Sequence, residues 1–235
     1  WIKKTLQLNC NMYIVTESKF VDFMKEHRPK GYNTFIKEDT FENADYYKYL
    51  PKMMEILNSN AYKDKIAYPN RVECKLPEYN VIQYSKFGWL NDAIKNNPFK
   101  TEYFFWMDAG ISRFFQNMNI SMRFPCLSKQ QDVLNKFGKK FIIQQRHDLQ
   151  TYTINDEFIW KADNLFKGGM FGGEKNIVLE IKKEVERIFV KEMLDKNNVN
   201  NEQLALALLW KQKPELFSVI PDINSHPCVL LPVLS

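Results

Sequence analysis

One stretch of this chain narrows the possible folds more than any other: TEYFFWMDAGISRFF, residues 101–115. Five large apolar side chains, Tyr103 to Met107, run without a polar interruption and stop at Asp108, with Ala109 and Gly110 behind it. A strand sends alternate side chains to opposite faces, so a run apolar at every position predicts a strand covered on both sides. Sheets built that way are the parallel sheets of α/β proteins, whose helices lie on both faces. The segment therefore reads as the central strand of such a sheet. Asp108 stands at its carboxyl end, the side on which open α/β sheets keep their ligand crevice.

The rest of the chain alternates accordingly. Residues 1–8 read as the tail of a helix and 11–17 (NMYIVTE) as a short strand. Ser18 is placed to cap a helix whose apolar stripe is Phe20, Val21, Phe23 and Met24. A second strand is expected in YNTFIKE, then helices at LPKMMEILN and over 79–96. After the strand at 102–108 come a helix around SKQQDVLNKF and a strand in KKFIIQQ. The segment from Glu174 to Lys196 repeats apolar residues at 177, 178, 181, 185, 188 and 189, the stripe of an amphipathic helix. NEQLALALLWKQ reads as a buried helix and LFSVI as a last strand. No repeat or linker divides the sequence, so one domain over 1–235 is expected, with a mostly parallel central sheet flanked by helices.

Composition excludes several classes. At 235 residues, 45% hydrophobic and 26% charged, the chain has enough apolar material for a substantial core and is not of the disordered type. A net charge of +5 is a mild bias, far from the dense basic stripe of a nucleic-acid binder. No apolar run approaches the roughly 20 residues of a membrane span. Cysteines at 10, 74, 126 and 228 form no Cys-x-x-Cys pair and read as free thiols of a reducing, cytoplasmic compartment. The chain opens on Trp1, so a piece of a longer product is expected.

Asp108 admits two readings: a carboxylate that caps the following turn, or one that holds a divalent cation together with water and substrate phosphates. The segment FKGGMFGGEKN gathers four of the chain's eight glycines around Met170 and Phe171. Its backbone is either the wall of a ligand pocket or a hairpin or bulge before a long helix. Its spacing is not that of a phosphate-binding loop. Glu202, opening a helix, is either a favourable charge at the N-terminal end or a base for an acceptor hydroxyl. Thr16 and Glu17 close an early strand as a turn or as contacts to a base or ribose. The histidines at 27, 147 and 226 show no ligand spacing.

SKFGWLNDAIKNNPFKTEYFFWMDAGISRFF resembles the bacterial HtrL/YibB family, whose pattern is a Ser-Lys-Phe helix, an Asn-Pro-Phe turn and a strand ending Trp-x-Asp-x-Gly-Ile. TLQLNCNMYIVTE with Arg28 downstream, FKGGMFGGEKN, and NEQLALALLWKQKPELF extend the resemblance over about residues 1–220. It implies a GT-A-like glycosyltransferase fold, a nucleotide-sugar-binding α/β domain with an acidic metal-binding motif closing a central strand. Asp108 would then hold Mn²⁺ or Mg²⁺ against the diphosphate of a donor, a UDP-sugar by preference. Lys86, Ala109, Gly110, Thr16 and Arg28 would complete the donor site. Gly169, Met170, Phe171, Gly172 and Gly173 would shape the sugar and acceptor pocket. Glu202 and Gln203 would serve catalysis on a glycan, lipid-linked glycan or protein hydroxyl, and His226 would be a late metal ligand.

The chain departs from that pattern twice. The usual motif is Asp-x-Asp, and Gly110 stands where the second acid belongs. The usual first strand, before the helix ending near Leu8, is missing from the sequence. A degenerate transferase fold that binds a sugar or a partner without turnover is the alternative that the first departure favours. A nucleotidyltransferase would want two neighbouring carboxylates where only Asp108 is evident.

Overall fold

The computed structural model describes residues 1–115, 137–161 and 164–221. Among these residues, six strands form two sheets. β1 (Met12–Thr16) and β2 (Thr34–Glu38) pair in parallel, Met12 opposite Thr34. β3 (Tyr103–Met107), β4 (Phe141–Gln145), β5 (Phe166–Glu174) and β6 (Phe217–Ile220) form a sheet of order β3-β5-β4-β6. Here β5 runs antiparallel to both neighbours, and only β4 and β6 are parallel. The chain is thus α/β, as expected, but its larger sheet is mixed rather than mostly parallel.

Two further expectations change with it. β3 lies at the edge of its sheet, paired only to β5 among the described residues. The glycine-rich segment, expected to be a pocket wall or a tight turn, is the nine-residue strand β5, flanked by β3 and β4. The double-sided apolarity of β3 is nonetheless used. Phe104 and Trp106 pack against one apolar cluster, while Phe105 and Met107 pack against the other. With one edge unpaired, all five residues stay half-buried.

Helices carry the larger cluster. Helices α1 (Ile2–Leu6), α2 (Val21–His27), α3 (Leu50–Asn58) and α4 (Asn60–Lys65) precede the long α5 (Pro77–Asn96). Ser18 makes no capping bond, because a short 3₁₀ turn (Ser18–Phe20) leads into α2. α5 starts on a proline, whose missing N–H has no partner to lose there. It stops at Asn97, in the left-handed conformation at φ 35°. α6 (Lys175–Ile188) buries Ile177, Val178, Ile181, Val185 and Ile188, the stripe expected from its spacing. A π turn (Phe189–Met193) follows. There Phe189 sits against Tyr84, ring centroids 4.4 Å apart, and against Tyr46 at 5.3 Å. Burial of each such ring contributes about 1.5–3 kcal/mol. α7 (Glu202–Gln212) starts on Asn201, whose side chain accepts from Gln203 N–H at 3.1 Å. Tyr84 donates to the Asn201 carbonyl at 2.9 Å, which ties the start of α7 to the middle of α5. That tie brings Lys86 of α5 and Glu202 of α7 together beside the end of β3. Among the described residues, no helix is long and apolar enough to cross a membrane.

Candidate active site

The site begins with strand periodicity. Residues two apart on a strand share a face, so Trp106 and Asp108 both project toward α5. The Asp108 N–H donates to the Gly169 carbonyl at 2.9 Å, extending the β3–β5 ladder by one bond, and its carbonyl accepts from Ile111 N–H at 2.9 Å. Asp108 therefore leaves the strand on a fixed backbone, with a side chain 41% exposed. Trp106 Nε1–H donates to Asp108 Oδ1 at 2.6 Å. The Trp106 ring is stacked on Trp89 of α5, centroids 5.7 Å apart.

Behind the carboxylate lies Lys86, only 2% exposed. Its ammonium has three protons and three close acceptors: the Gly168 carbonyl at 3.0 Å, Glu202 Oε1 at 3.1 Å and Asp108 Oδ1 at 3.2 Å. A buried charge is tolerated when it is paired and hydrogen-bonded, and here both conditions hold. Burial pulls the Lys86 pKa down, but the Glu202 and Asp108 charges outweigh it and leave it above the ordinary lysine value. One ammonium cannot neutralise two carboxylates. Burial foremost, opposed by Lys86 and reinforced by Asp108, therefore pushes the wholly buried Glu202 above the ordinary glutamate range. Gly168 makes the pairing possible: a Cβ there would lie 2.2 Å from Glu202 Oε1.

A cavity of about 690 Å³ opens at the carboxyl ends of β1 and β2. Val15 and Thr16 contribute from β1, Glu17 from just beyond it and Asp39 and Thr40 from beyond β2, facing Tyr79, Gln83 and Trp89 of α5. The volume suits a small-molecule ligand. Tyr79, Gln83, Lys86 and Trp89 follow helical spacing, so the helix face that lines the cavity continues to Lys86. The Tyr79 hydroxyl, raised by burial and then by Glu202, Glu73 and Asp108, is pushed up to about 12. Glu17, Asp39 and Glu78 are the charged residues of the wall, and no lysine, arginine or histidine lines it among the described residues. Glu17 pairs with Lys19 and Asp39 with Lys37, so the wall offers acceptors to hydroxyl and N–H groups while two of its three charges are balanced nearby.

The structure redistributes the residues expected from sequence. Asp108, Lys86, Glu202 and the Gly168–Gly169 backbone come together, and Thr16 and Glu17 line the neighbouring cavity. Lys86 has no proton left for a diphosphate, so its direct partner is Asp108. Glu202 has no exposed surface and cannot reach an acceptor hydroxyl in this conformation, so it bonds the lysine instead. Gln203 is buried beside Gly168. Arg28 lies away from the site: its guanidinium donates to the carbonyls of Leu6 (2.7 Å), Leu8 (2.6 Å) and Cys10 (2.5 Å). Ala109 accepts from Thr5 Oγ1 at 2.8 Å.

The glycine-rich strand is packing, not pocket wall. Met170 joins the smaller cluster, Phe171 stacks on Phe87 at 5.1 Å, and a Cβ on Gly172 would lie 2.1 Å from the Phe104 carbonyl oxygen. Gly173 is buried under Lys140 and Ile177, and only Gly169 is half-exposed. His226 lies outside the described residues. Sequence reading missed Trp106, counted among the apolar run, although Trp-x-Asp on a strand puts both on one face. It also missed Tyr79, Gln83 and Trp89, which the spacing around Lys86 would have found, and Asp39.

Among the described residues, no cluster of three or more His, Cys, Asp or Glu side chains could hold a metal ion. Asp108 alone fits a cation whose other ligands are water and substrate, because its Oδ2 takes part in neither the Trp106 nor the Lys86 contact.

Residues 1–224 match the family described as "Bacterial protein of unknown function (HtrL_YibB)", and the chain belongs to that family. No protein with a curated description matches it. Among solved structures it is similar to mouse xyloside xylosyltransferase 1 in its apo form, with a TM-score of 0.45 and 10% identity over 93% of this chain and 78% of that one.

Proposed function

We propose that this member of the HtrL/YibB family is a GT-A-like glycosyltransferase, a single domain that moves a sugar from a nucleotide-diphosphate donor to a hydroxyl of a glycan, lipid-linked glycan or protein. One observation carries the reading: a half-exposed carboxylate, braced by a buried lysine, projects from a strand end next to a ligand-sized cavity. The acid-lined cavity suits the nucleoside, whose ribose hydroxyls and base N–H groups donate hydrogen bonds. The diphosphate would then extend along the α5 face toward Asp108.

Two anions cannot lie side by side without a cation between them. Asp108 would hold Mn²⁺ or Mg²⁺ there, which when bound supplies Lewis-acid stabilisation of the charge on the departing phosphate, worth several kcal/mol. Lys86 and Glu202 act behind Asp108. The lysine fixes the carboxylate, and the glutamate keeps the lysine charged and in place. Gly169, half-exposed and bonded through its carbonyl to the Asp108 N–H, would be the one glycine of its strand open to the sugar. No described carboxylate is assigned as the acceptor's base, and Glu202 is not one.

The burial of Glu202 and the glycine at 110 favour a second reading, a sugar- or nucleotide-binding module without turnover. Thermal shift against UDP- and GDP-sugars, with and without Mn²⁺, tests binding, and release of free nucleotide tests turnover. The transferase reading expects metal-dependent stabilisation and nucleotide release that Asp108→Asn abolishes. Stabilisation without release in the presence of candidate acceptors supports the module, and release unchanged in Asp108→Asn removes Asp108 from the mechanism.

A further inference from the structure

We propose that Trp106 is a positioning residue for Asp108: its indole N–H, acting with the Lys86 ammonium, fixes Oδ1 and so dedicates Oδ2 to the ligand. The inference rests on the reading of Asp108 as the ligand-binding carboxylate.

A carboxylate at a strand end, 41% exposed, would ordinarily rotate and offer either oxygen. Here both contacts fall on the same oxygen, Trp106 Nε1 at 2.6 Å and Lys86 Nζ at 3.2 Å. The two donors differ in kind. Lys86 brings charge and is itself shared with Glu202 and Gly168. The indole brings no charge, has a single proton to give and cannot accept, so its effect is direction. The ring in turn has little freedom. It lies on Trp89 with planes 20° apart, and Lys86 Nζ is 5.9 Å from its centroid. Trp89 also lines the cavity, so the element that walls the ligand space sets the indole that aims the carboxylate. Groups that bind well are those held in place by packed neighbours. A phenylalanine at 106 would keep a smaller aromatic face on Trp89 but would have no proton to give to Asp108.

The test uses UDP and GDP, each with Mg²⁺, titrated by calorimetry into wild type, Asp108→Asn, Trp106→Phe and Trp106→His. Thermal melts and nitrogen-15 NMR of the chain's five indole N–H groups accompany it. Loss of a partner that orients a metal-binding carboxylate predicts roughly a tenfold or greater weakening in Trp106→Phe. The melt should stay near wild type, and Trp106→His, which keeps a ring N–H, should recover part of the affinity. One indole signal should vanish in Trp106→Phe, move in Asp108→Asn, and move when Mg²⁺ and nucleotide bind to wild type.

If Asp108→Asn loses metal-dependent binding while Trp106→Phe binds as wild type does, the positioning role is wrong and the reading of Asp108 stands. If Asp108→Asn binds both nucleotides unchanged, that reading fails, and the positioning role with it. Should Trp106→Phe not fold, the wild-type and Asp108→Asn spectra decide. An indole signal that responds both to the substitution and to Mg²⁺–nucleotide supports the role, and five that ignore either overturn it.

Discussion

Among the cations buried in the described residues, Arg28 and Lys86 are used in opposite ways. Arg28 directs its guanidinium at three backbone carbonyls and the Thr34 hydroxyl, all neutral, and burial lowers its pKa. Lys86 directs its ammonium at one carbonyl and two carboxylates, and its pKa is raised. Arg28 thus braces the chain between α1 and β1, where a planar five-donor fork suits several oxygens at once. Lys86 balances charge in a cluster that keeps one carboxylate at the surface. A buried base tells little about function by itself, whereas the charge of its partners tells a great deal.

Breaking the Lys86 cluster should have the largest effect. Lys86→Met keeps the length of the side chain and removes the charge, leaving Glu202 buried without its partner. Losing one member of a buried pair costs about 3–5 kcal/mol, so urea denaturation should show a loss of that order. Glu202→Gln added to Lys86→Met should recover much of it, because the orphaned charge is then gone. Failure of that rescue would mean that the lysine stabilises by packing alone.

Arg28→Lys sharpens the other half of the contrast. The charge stays and the fork is lost, so three N–H donors face four acceptors and at least one of the Thr34 hydroxyl and the carbonyls of Leu6, Leu8 and Cys10 goes unserved. The expected loss is about 1–3 kcal/mol, with the response to UDP- and GDP-sugars unchanged. A change in nucleotide response in Arg28→Lys would bring that residue back into the donor site.

The pH dependence of stability separates the two cations further. Glu202 carries a raised pKa in the folded chain against about 4.5 unfolded, so between those values the native state holds more protons than the unfolded one. Stability therefore falls as pH rises through that window, at no more than about 1.4 kcal/mol per pH unit. Glu202→Gln should flatten this slope, while Arg28→Lys should leave it alone. The Lys86 shift acts in the same sense but outside this window: its contribution is complete below the unfolded value of 10.5 and is lost only as pH climbs through the higher folded value. Chemical denaturation across pH 4–8 in the three chains reads the difference directly.

How much of this was legible in the sequence follows from the range of each interaction. β1, β2 and α3 lie where local patterns put them, since alternation and helical spacing are properties of neighbouring residues. The buried stripe of α6 was readable for the same reason. Strand direction was not, because the antiparallel course of β5 depends on what comes back to pair with it. Locally, four glycines in FKGGMFGGE argue for a turn. Only the close approach of Glu202 to Gly168 and of the Phe104 carbonyl to Gly172 explains a strand that needs them. β3 is apolar on both faces because two clusters meet there, and that looks identical in sequence to burial at a sheet's centre. Asp108 was found as the end of an apolar run, but the burial of Lys86 and Glu202 requires knowing that residues 116 apart in sequence touch.

The smallest effect on stability and the most informative one for binding concerns Gly110. Its φ of −85° is open to any residue, and among the described residues a Cβ built there meets nothing within 4 Å. Neither backbone strain nor crowding therefore requires a glycine, in contrast to Gly168. Gly110→Asp should fold with stability within about 0.5 kcal/mol of the parent, as surface substitutions do. It would place a second carboxylate two residues from Asp108. Divalent cations bind through carboxylate oxygens, and additional charged ligands tighten binding. Mn²⁺ titration by calorimetry or electron paramagnetic resonance should then show higher affinity in Gly110→Asp than in the parent, even without nucleotide. The gain should vanish in Asp108→Asn/Gly110→Asp if the two acids act on one ion. Equal Mn²⁺ affinity in parent and Gly110→Asp would mean that the Asp108 carboxylate does not face the cation, which would separate the Lys86 cluster from metal binding altogether.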